Sequence, residues 1–155
     1  MKKSVIVNPS AGWGSAGRKW PELESRLKSL HGEFETHFTR GPGDAVQITR
    51  RLLLSGTERL FVVGGDGTVN EAVTGLVRSE RLDIPVGLVP SGTVNLLASE
   101  LGFSKSVEPI VDAMTKGTRR SLYLGQITSE VENRIFLVTN QHLLFSKQLF
   151  SSLVP

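Results

Sequence analysis

Apolar positions along this chain follow two periods that alternate. Ser4 to Asn8 is a short run centred on Val5, Ile6 and Val7, the pattern of a strand covered on both faces. From Lys19 to Leu30 the period lengthens, with Trp20, Leu23, Leu27 and Leu30 at helical spacing. Glu33 to Thr39 returns to strand character, and Ala45 to Ser55 predicts a helix that Gly56 stops. Arg59 to Val63 is again almost wholly apolar. Beyond it, Val69, Ala72, Val73, Leu76 and Val77 repeat at i, i+3, i+4, i+7 and i+8, the buried stripe of an amphipathic helix. Ile84 to Val89 predicts a strand, and Asn95 to Leu101 and Val107 to Lys116 predict helices. Arg120 to Ile127 and Arg134 to Thr139 predict two strands suited to antiparallel pairing.

Strand and helix in turn, joined by short loops, predict an α/β fold: a doubly wound, mostly parallel sheet with helices on both faces. The expected organisation is one α/β domain over residues 1–125. A second, β domain would begin within 126–155, truncated or altered. Residues 140–155, "NQHLLFSKQLFSSLVP", are apolar enough to need packing, which leaves association, a homodimer included, open.

Composition narrows the partners. A net charge of +3 and a pI near 9.5 favour anions such as nucleotides and phospholipid headgroups. The cations are scattered and aromatics make up only 6%, so nucleic acid is not expected. The absence of cysteine excludes disulfides and thiolate metal sites and fits a reducing cytoplasm. No run approaches the ~18 apolar residues of a membrane span, so any membrane contact would be peripheral. His31, His37 and His142 lack the spacing of a metal site.

Two glycine loops carry the candidate chemistry. In "VNPSAGWGSAGRKW", Gly12, Gly14 and Gly17 spell G-x-G-x-x-G. A dinucleotide fingerprint needs an immediate turn off the strand and an acid ending the next strand. Here "PSA" intervenes, and Arg40 stands where the acid belongs. A Walker loop fails too, since "GRK" replaces "GK[ST]" and places no hydroxyl for Mg²⁺. Trp13 in this loop is open to two readings, a stacking partner for adenine or a partly exposed aromatic.

"VVGGDGTVNEAVTGL" is more specific. Gly64, Gly65 and Gly67 let the chain turn off a strand end. Thr68 would cap the next helix, whose free N–H groups attract phosphate. Asp66 lies where parallel sheets bind ligands, and a carboxylate beside phosphate would bind Mg²⁺ or take a proton. The bland reading is an Asp that caps a tight turn.

This second loop resembles the nucleotide-binding signature of the diacylglycerol kinase catalytic domain family, which includes bacterial lipid kinases and sphingosine kinase-like enzymes. "NPSAGWGSAG" resembles the family's first loop, and "PVGLVPSGTVNLLASELG" its third segment, in family order over residues 4 to 125. The "GGDG" core also occurs in NAD kinases and phosphofructokinases, whereas "NE", "NP" and "P-x-G-T-x-N" favour the lipid-kinase branch. The resemblance implies an ATP-dependent lipid kinase of diacylglycerol kinase type, using Mg²⁺ and acting on a lipid hydroxyl at a membrane surface. It makes the first loop a phosphate-side turn for ATP and Asp66 the catalytic residue, holding metal directly or through water. Gly64, Gly65, Gly67 and Thr68 would hold the phosphates, and Asn70 and Glu71, placed on the helix's first turn, would support that loop or the metal's water shell. Asn8, Pro9, Thr39, Arg40, Ser91, Gly92, Thr93 and Asn95 would line the same cleft. For Asn8 and Asn95 a turn-capping side chain is the alternative.

The chain departs from the family in two places. Leu96 stands where many members have an acid after "GT-x-N". After Arg134 to Phe136 it reads "LVTNQHLLFSKQLF" in place of the glycines and aspartate that open the family's second domain. A non-catalytic nucleotide-binding remnant and an NAD kinase-like enzyme therefore stand as the other readings.

Overall fold

Why the sheet is parallel follows from the crossovers. In the computed structural model, which describes residues 1–100, 122–128 and 133–138, each of the first three strands is followed by a helix. The elements are β1 Lys3–Val7, α1 Ser15–His31, β2 Glu35–Phe38, α2 Asp44–Leu54, β3 Arg59–Gly64, α3 Asp66–Arg78, β4 Val86–Pro90 and α4 Leu96–Glu100. The four strands pair in parallel in the order β2-β1-β3-β4. The α/β fold expected from the pattern is the fold observed.

Alternate strand residues face opposite layers. Val5, Val7, Phe61, Val63 and Val89 pack with Ala16, Trp20 and Leu27 of α1. Ile6, Leu60, Val62 and Leu88 are equally buried and occupy the alternate positions. On that second face, Val62 and Leu88 line one small pocket with Val69 of α3 and Leu97 and Ala98 of α4. Each such side chain contributes roughly 1.5–3 kcal/mol when removed from water. Both faces are thus covered, as the unbroken apolar runs predict.

The chain divides into two compact units, Met1–Arg119 and Arg120–Pro155. In the second, β5 Tyr123–Thr128 and β6 Asn133–Val138 form an antiparallel pair, Tyr123 opposite Val138 and Thr128 opposite Asn133. Gly125 lies under the ring of Phe136, where a Cβ would collide. The helix expected over Val107 to Lys116 and the apolar tail lie outside the described residues.

Two helix starts differ from expectation. α1 begins at Ser15, a full turn before Lys19, because the glycine loop itself winds into the helix: Ser15 N–H donates to Gly12 O (3.1 Å) and Ala16 N–H to Ala11 O (3.2 Å). α3 begins at Asp66, with extended Gly65 as its cap residue. Thr68 is therefore the third helical residue and not the cap, since the chain needs only one extended glycine to pass from strand to helix.

Candidate active site

Every predicted site residue of the first unit lies at or just beyond the carboxyl edge of the parallel sheet, where open α/β sheets bind ligands. The β1-to-β2 connection runs one way and the β3-to-β4 connection the other, so the switch point lies between β1 and β3. Asn8 leaves β1 there, and Gly64 to Thr68 leave β3. Asn8 bridges the gap: its Nδ2 donates to Thr68 Oγ1 (2.9 Å), and its Oδ1 accepts from Ser10 N–H (3.0 Å). Asn8 thus caps a local turn and also ties the first loop to α3.

The glycines of "GGDGT" divide by task. A Cβ on Gly64 would lie 2.8 Å from Thr68 Cβ, and a Cβ on Gly92 only 2.6 Å from Gly65 Cα. Gly65 and Gly92 therefore let two backbones touch, and Ser91 N–H donates to Gly64 O (2.9 Å) across the same seam. Gly67 differs. It is exposed, and nothing lies within 4 Å of where its Cβ would be. Glycine costs about 1 kcal/mol relative to alanine inside a helix, and no packing here accounts for it.

Asp66 and Asn95 hold the seam. Asp66 Oδ2 accepts from Leu96 N–H (2.9 Å) and Oδ1 from Leu97 N–H (3.1 Å). It is a capping aspartate, but for a helix thirty residues away and not for its own turn. Asn95 is buried in a left-handed conformation (φ 54°). Its Oδ1 accepts from Gly92 N–H (2.7 Å), and its Nδ2 donates to Gly92 O (2.6 Å). Leu96, where an acid was expected, exposes its side chain and contributes its amide.

On the other flank, buried Thr39 extends the sheet by donating its N–H to Val7 O (2.9 Å). Exposed Arg40 donates its N–H to Asp44 Oδ2 (2.8 Å). Asp44 escaped sequence reading, although an acid in the first turn of a helix was the available signal. Asn70 and Glu71 lie in α3's second turn, not its first. Glu71 turns away from the Asp66 loop: its Oε1 accepts from Gly43 N–H (2.8 Å) and its Oε2 from Ala45 N–H (3.2 Å). Pro9 O accepts from Gly17 N–H (3.2 Å), and Thr93 is exposed.

These bonds decide which helix can take an anion, because a helix leaves its first amides without internal acceptors. At α1 the loop's own carbonyls take the N–H groups of Gly14 to Arg18. From Ser10 to Arg18, only Gly12 and Trp13 lack an acceptor among the described residues. At α2, Glu71 takes Gly43 and Ala45, and Gly41 O takes Asp44 N–H (3.3 Å). At α4, Asp66 takes two. At α3 the first ladder bond is Val69 N–H to Gly65 O (3.1 Å). Nothing among the described residues accepts from Asp66, Gly67 or Thr68 N–H. That open turn, with bare Gly67 in its middle, fits a phosphate group.

Acids are sparse here. Among the described residues, no group of three or more His, Cys, Asp or Glu side chains gathers to hold a metal ion. Asp66 keeps further lone pairs on both oxygens, which suits a Mg²⁺ that retains waters and takes its other ligands from phosphate. Away from this loop, hydrogen bonds from Lys2 and Arg81 hold the Glu35 and Asp83 carboxyls below their ordinary values. A cleft of about 570 Å³ is lined by Gly12, Trp13, Lys19, Ser91, Gly92 and Thr93, among others. Trp13, 88% exposed at φ 56°, stands at its wall.

The chain is similar to known proteins in sequence and in fold. The model of the diacylglycerol kinase catalytic domain matches residues 2–127. A diacylglycerol kinase of Staphylococcus carnosus is 30% identical over 125 residues, covering 81% of this chain and 40% of that protein. One of Bacillus subtilis is 28% identical over 132 residues, covering 84% and 43%. A solved diacylglycerol kinase structure from Bacillus anthracis superposes with a TM-score of 0.65 at 28% identity, covering 76% of this chain and 44% of its own. The chain spans less than half the length of these relatives.

Proposed function

Because the chain belongs to the diacylglycerol kinase catalytic domain family, we propose that it supplies the ATP-holding half of a lipid kinase. The reaction is transfer of the γ-phosphoryl group of ATP to a lipid hydroxyl at a membrane surface. One observation carries this reading: among the described helix starts at the sheet's carboxyl edge, α3 alone leaves its whole first turn open, beside a glycine with nothing behind it.

Phosphoryl transfer depends mainly on positioning and charge neutralisation. The amides of Asp66, Gly67 and Thr68 receive phosphate oxygens as fixed dipoles, which need not reorganise as charge shifts. Gly64 and Gly65 keep the strand exit narrow, and the Gly65–Gly92 contact holds Ser91 to Asn95 against it. Arg40 offers a cation at the next strand end, while Asn8, Pro9 and Thr39 shape the wall between. Bound Mg²⁺ would neutralise the phosphate charge, and Asp66 would hold its water shell through the lone pairs the α4 amides leave. No helix among the described residues is long and apolar enough to cross a membrane.

Calorimetric titration of the chain with ATP, with and without Mg²⁺, tests the reading. Saturable binding strengthened by Mg²⁺ is expected. Asp66→Asn should lower Mg²⁺-dependent affinity while the far-UV spectrum stays unchanged. A folded chain that binds no nucleotide would remove the proposal.

A further inference from the structure

Glu71 makes two bonds that the phosphate site does not require. α2 and α3 cross the same face of a parallel sheet, so they run in the same direction and start at the same edge. Gly75 sets how closely they approach: a Cβ there would lie 2.6 Å from Thr49 Cβ and 2.9 Å from Val46 O. One helical turn nearer the site on α3 is Glu71, and about one turn nearer on α2 are Gly43 to Ala45. Close packing at Gly75 therefore delivers the Glu71 carboxylate to the start of α2, where it accepts from Gly43 and Ala45 N–H. α2 has no cap of its own, since its cap residue is Gly43 and Asp44 is turned back to Arg40 N–H. A carboxylate placed there is favoured by both the orphan amides and the helix dipole.

We propose that Glu71 is a positioning residue. It closes the start of α2 against other anions and fixes the loop from Thr39 to Gly43, with Arg40 in it, relative to the open start of α3. This rests on the nucleotide reading above and deepens it: phosphate is directed to one helix because a carboxylate already occupies its neighbour.

The test is amide hydrogen exchange at Gly43 and Ala45 in the ligand-free chain, with ATP titration in the presence and absence of Mg²⁺. It compares the unmutated chain, Glu71→Gln and Glu71→Ala. In Glu71→Ala, exchange at both amides should rise about tenfold or more, the scale of a hydrogen bond to a charged group. ATP affinity should fall by the same factor with and without Mg²⁺, because Glu71 touches the loop and not the metal. Glu71→Gln, which keeps one acceptor oxygen and the side chain's shape, should recover part of both losses. Unchanged exchange in Glu71→Ala would overturn the proposal. So would an affinity loss seen only with Mg²⁺, which would place Glu71 in the metal's water shell. If the unmutated chain binds no ATP, the nucleotide reading fails, while the exchange result still decides whether Glu71 holds α2.

Discussion

The two glycine loops, Gly12 to Gly17 and Gly64 to Gly67, look alike in composition and behave oppositely. In the first, three consecutive residues, Gly12, Trp13 and Gly14, take left-handed φ values of 58°, 56° and 78°. That curl turns carbonyls inward to capture the first amides of α1, so the loop satisfies itself. In the second, no residue has a positive φ. Gly64 and Gly65 serve close approach instead, Gly67 faces open space, and the amides stay open. A glycine-rich loop before a helix is thus not by itself a phosphate loop. What matters is whether the carbonyls that could accept those amides are near them.

This contrast can be broken by substitution. Gly92→Ala should have the largest effect, because its Cβ would meet Gly65 backbone at 2.6 Å and Asn95 Oδ1 at 2.7 Å, and neither can swing aside. Overpacking of this kind costs about 1–3 kcal/mol, and ATP affinity should fall with stability. Urea unfolding and calorimetry on one preparation would check both, and an unaffected variant would mean that Gly92 and Gly65 are not in contact.

Gly67→Ala should separate stability from binding. Its Cβ meets nothing, and alanine is the better helix former, so stability should rise by about 0.5–1 kcal/mol. ATP affinity should nevertheless drop, since the methyl enters the space assigned to phosphate. A variant that is more stable and binds equally well would remove the ligand from that turn.

Trp13→Gly should do least. The side chain is 88% exposed and the backbone is left-handed. Glycine should therefore raise the unfolding free energy slightly, by about 1 kcal/mol or less, and leave ATP affinity alone. A clear loss of affinity would restore the adenine-stacking reading and extend the site along the first loop to Trp13.

Much of the fold was legible before the structure. Val5 to Val7 and Leu60 to Val63 could only be strands covered twice, and the stripe from Val69 to Leu76 could only face a sheet. The pairing of β5 with β6 followed from two apolar runs close in sequence. Helix starts were less legible, because Gly65 and the curl at Gly12 to Gly14 begin α3 and α1 through backbone geometry that no side chain announces. In the site, the glycines and Asp66 stood out by spacing, but Asp66 read as a carboxylate beside its own turn when it caps α4. Glu71 read as a support for the Asp66 loop or the metal's water shell, and its carboxylate accepts from the start of α2.

The sequence by itself determined the alternation of elements, the two covered faces of the sheet, the family, and the stretch from which the site is built. Those properties depend on periodicity and on residues adjacent in the chain. Only the tertiary structure decided which helix start remains open. Asp66 reaches α4 across thirty residues and Glu71 reaches α2 across twenty-eight. A hydrogen bond of about 3 Å exists between such residues only once the crossovers have fixed strand order and brought α2 and α3 together at Gly75.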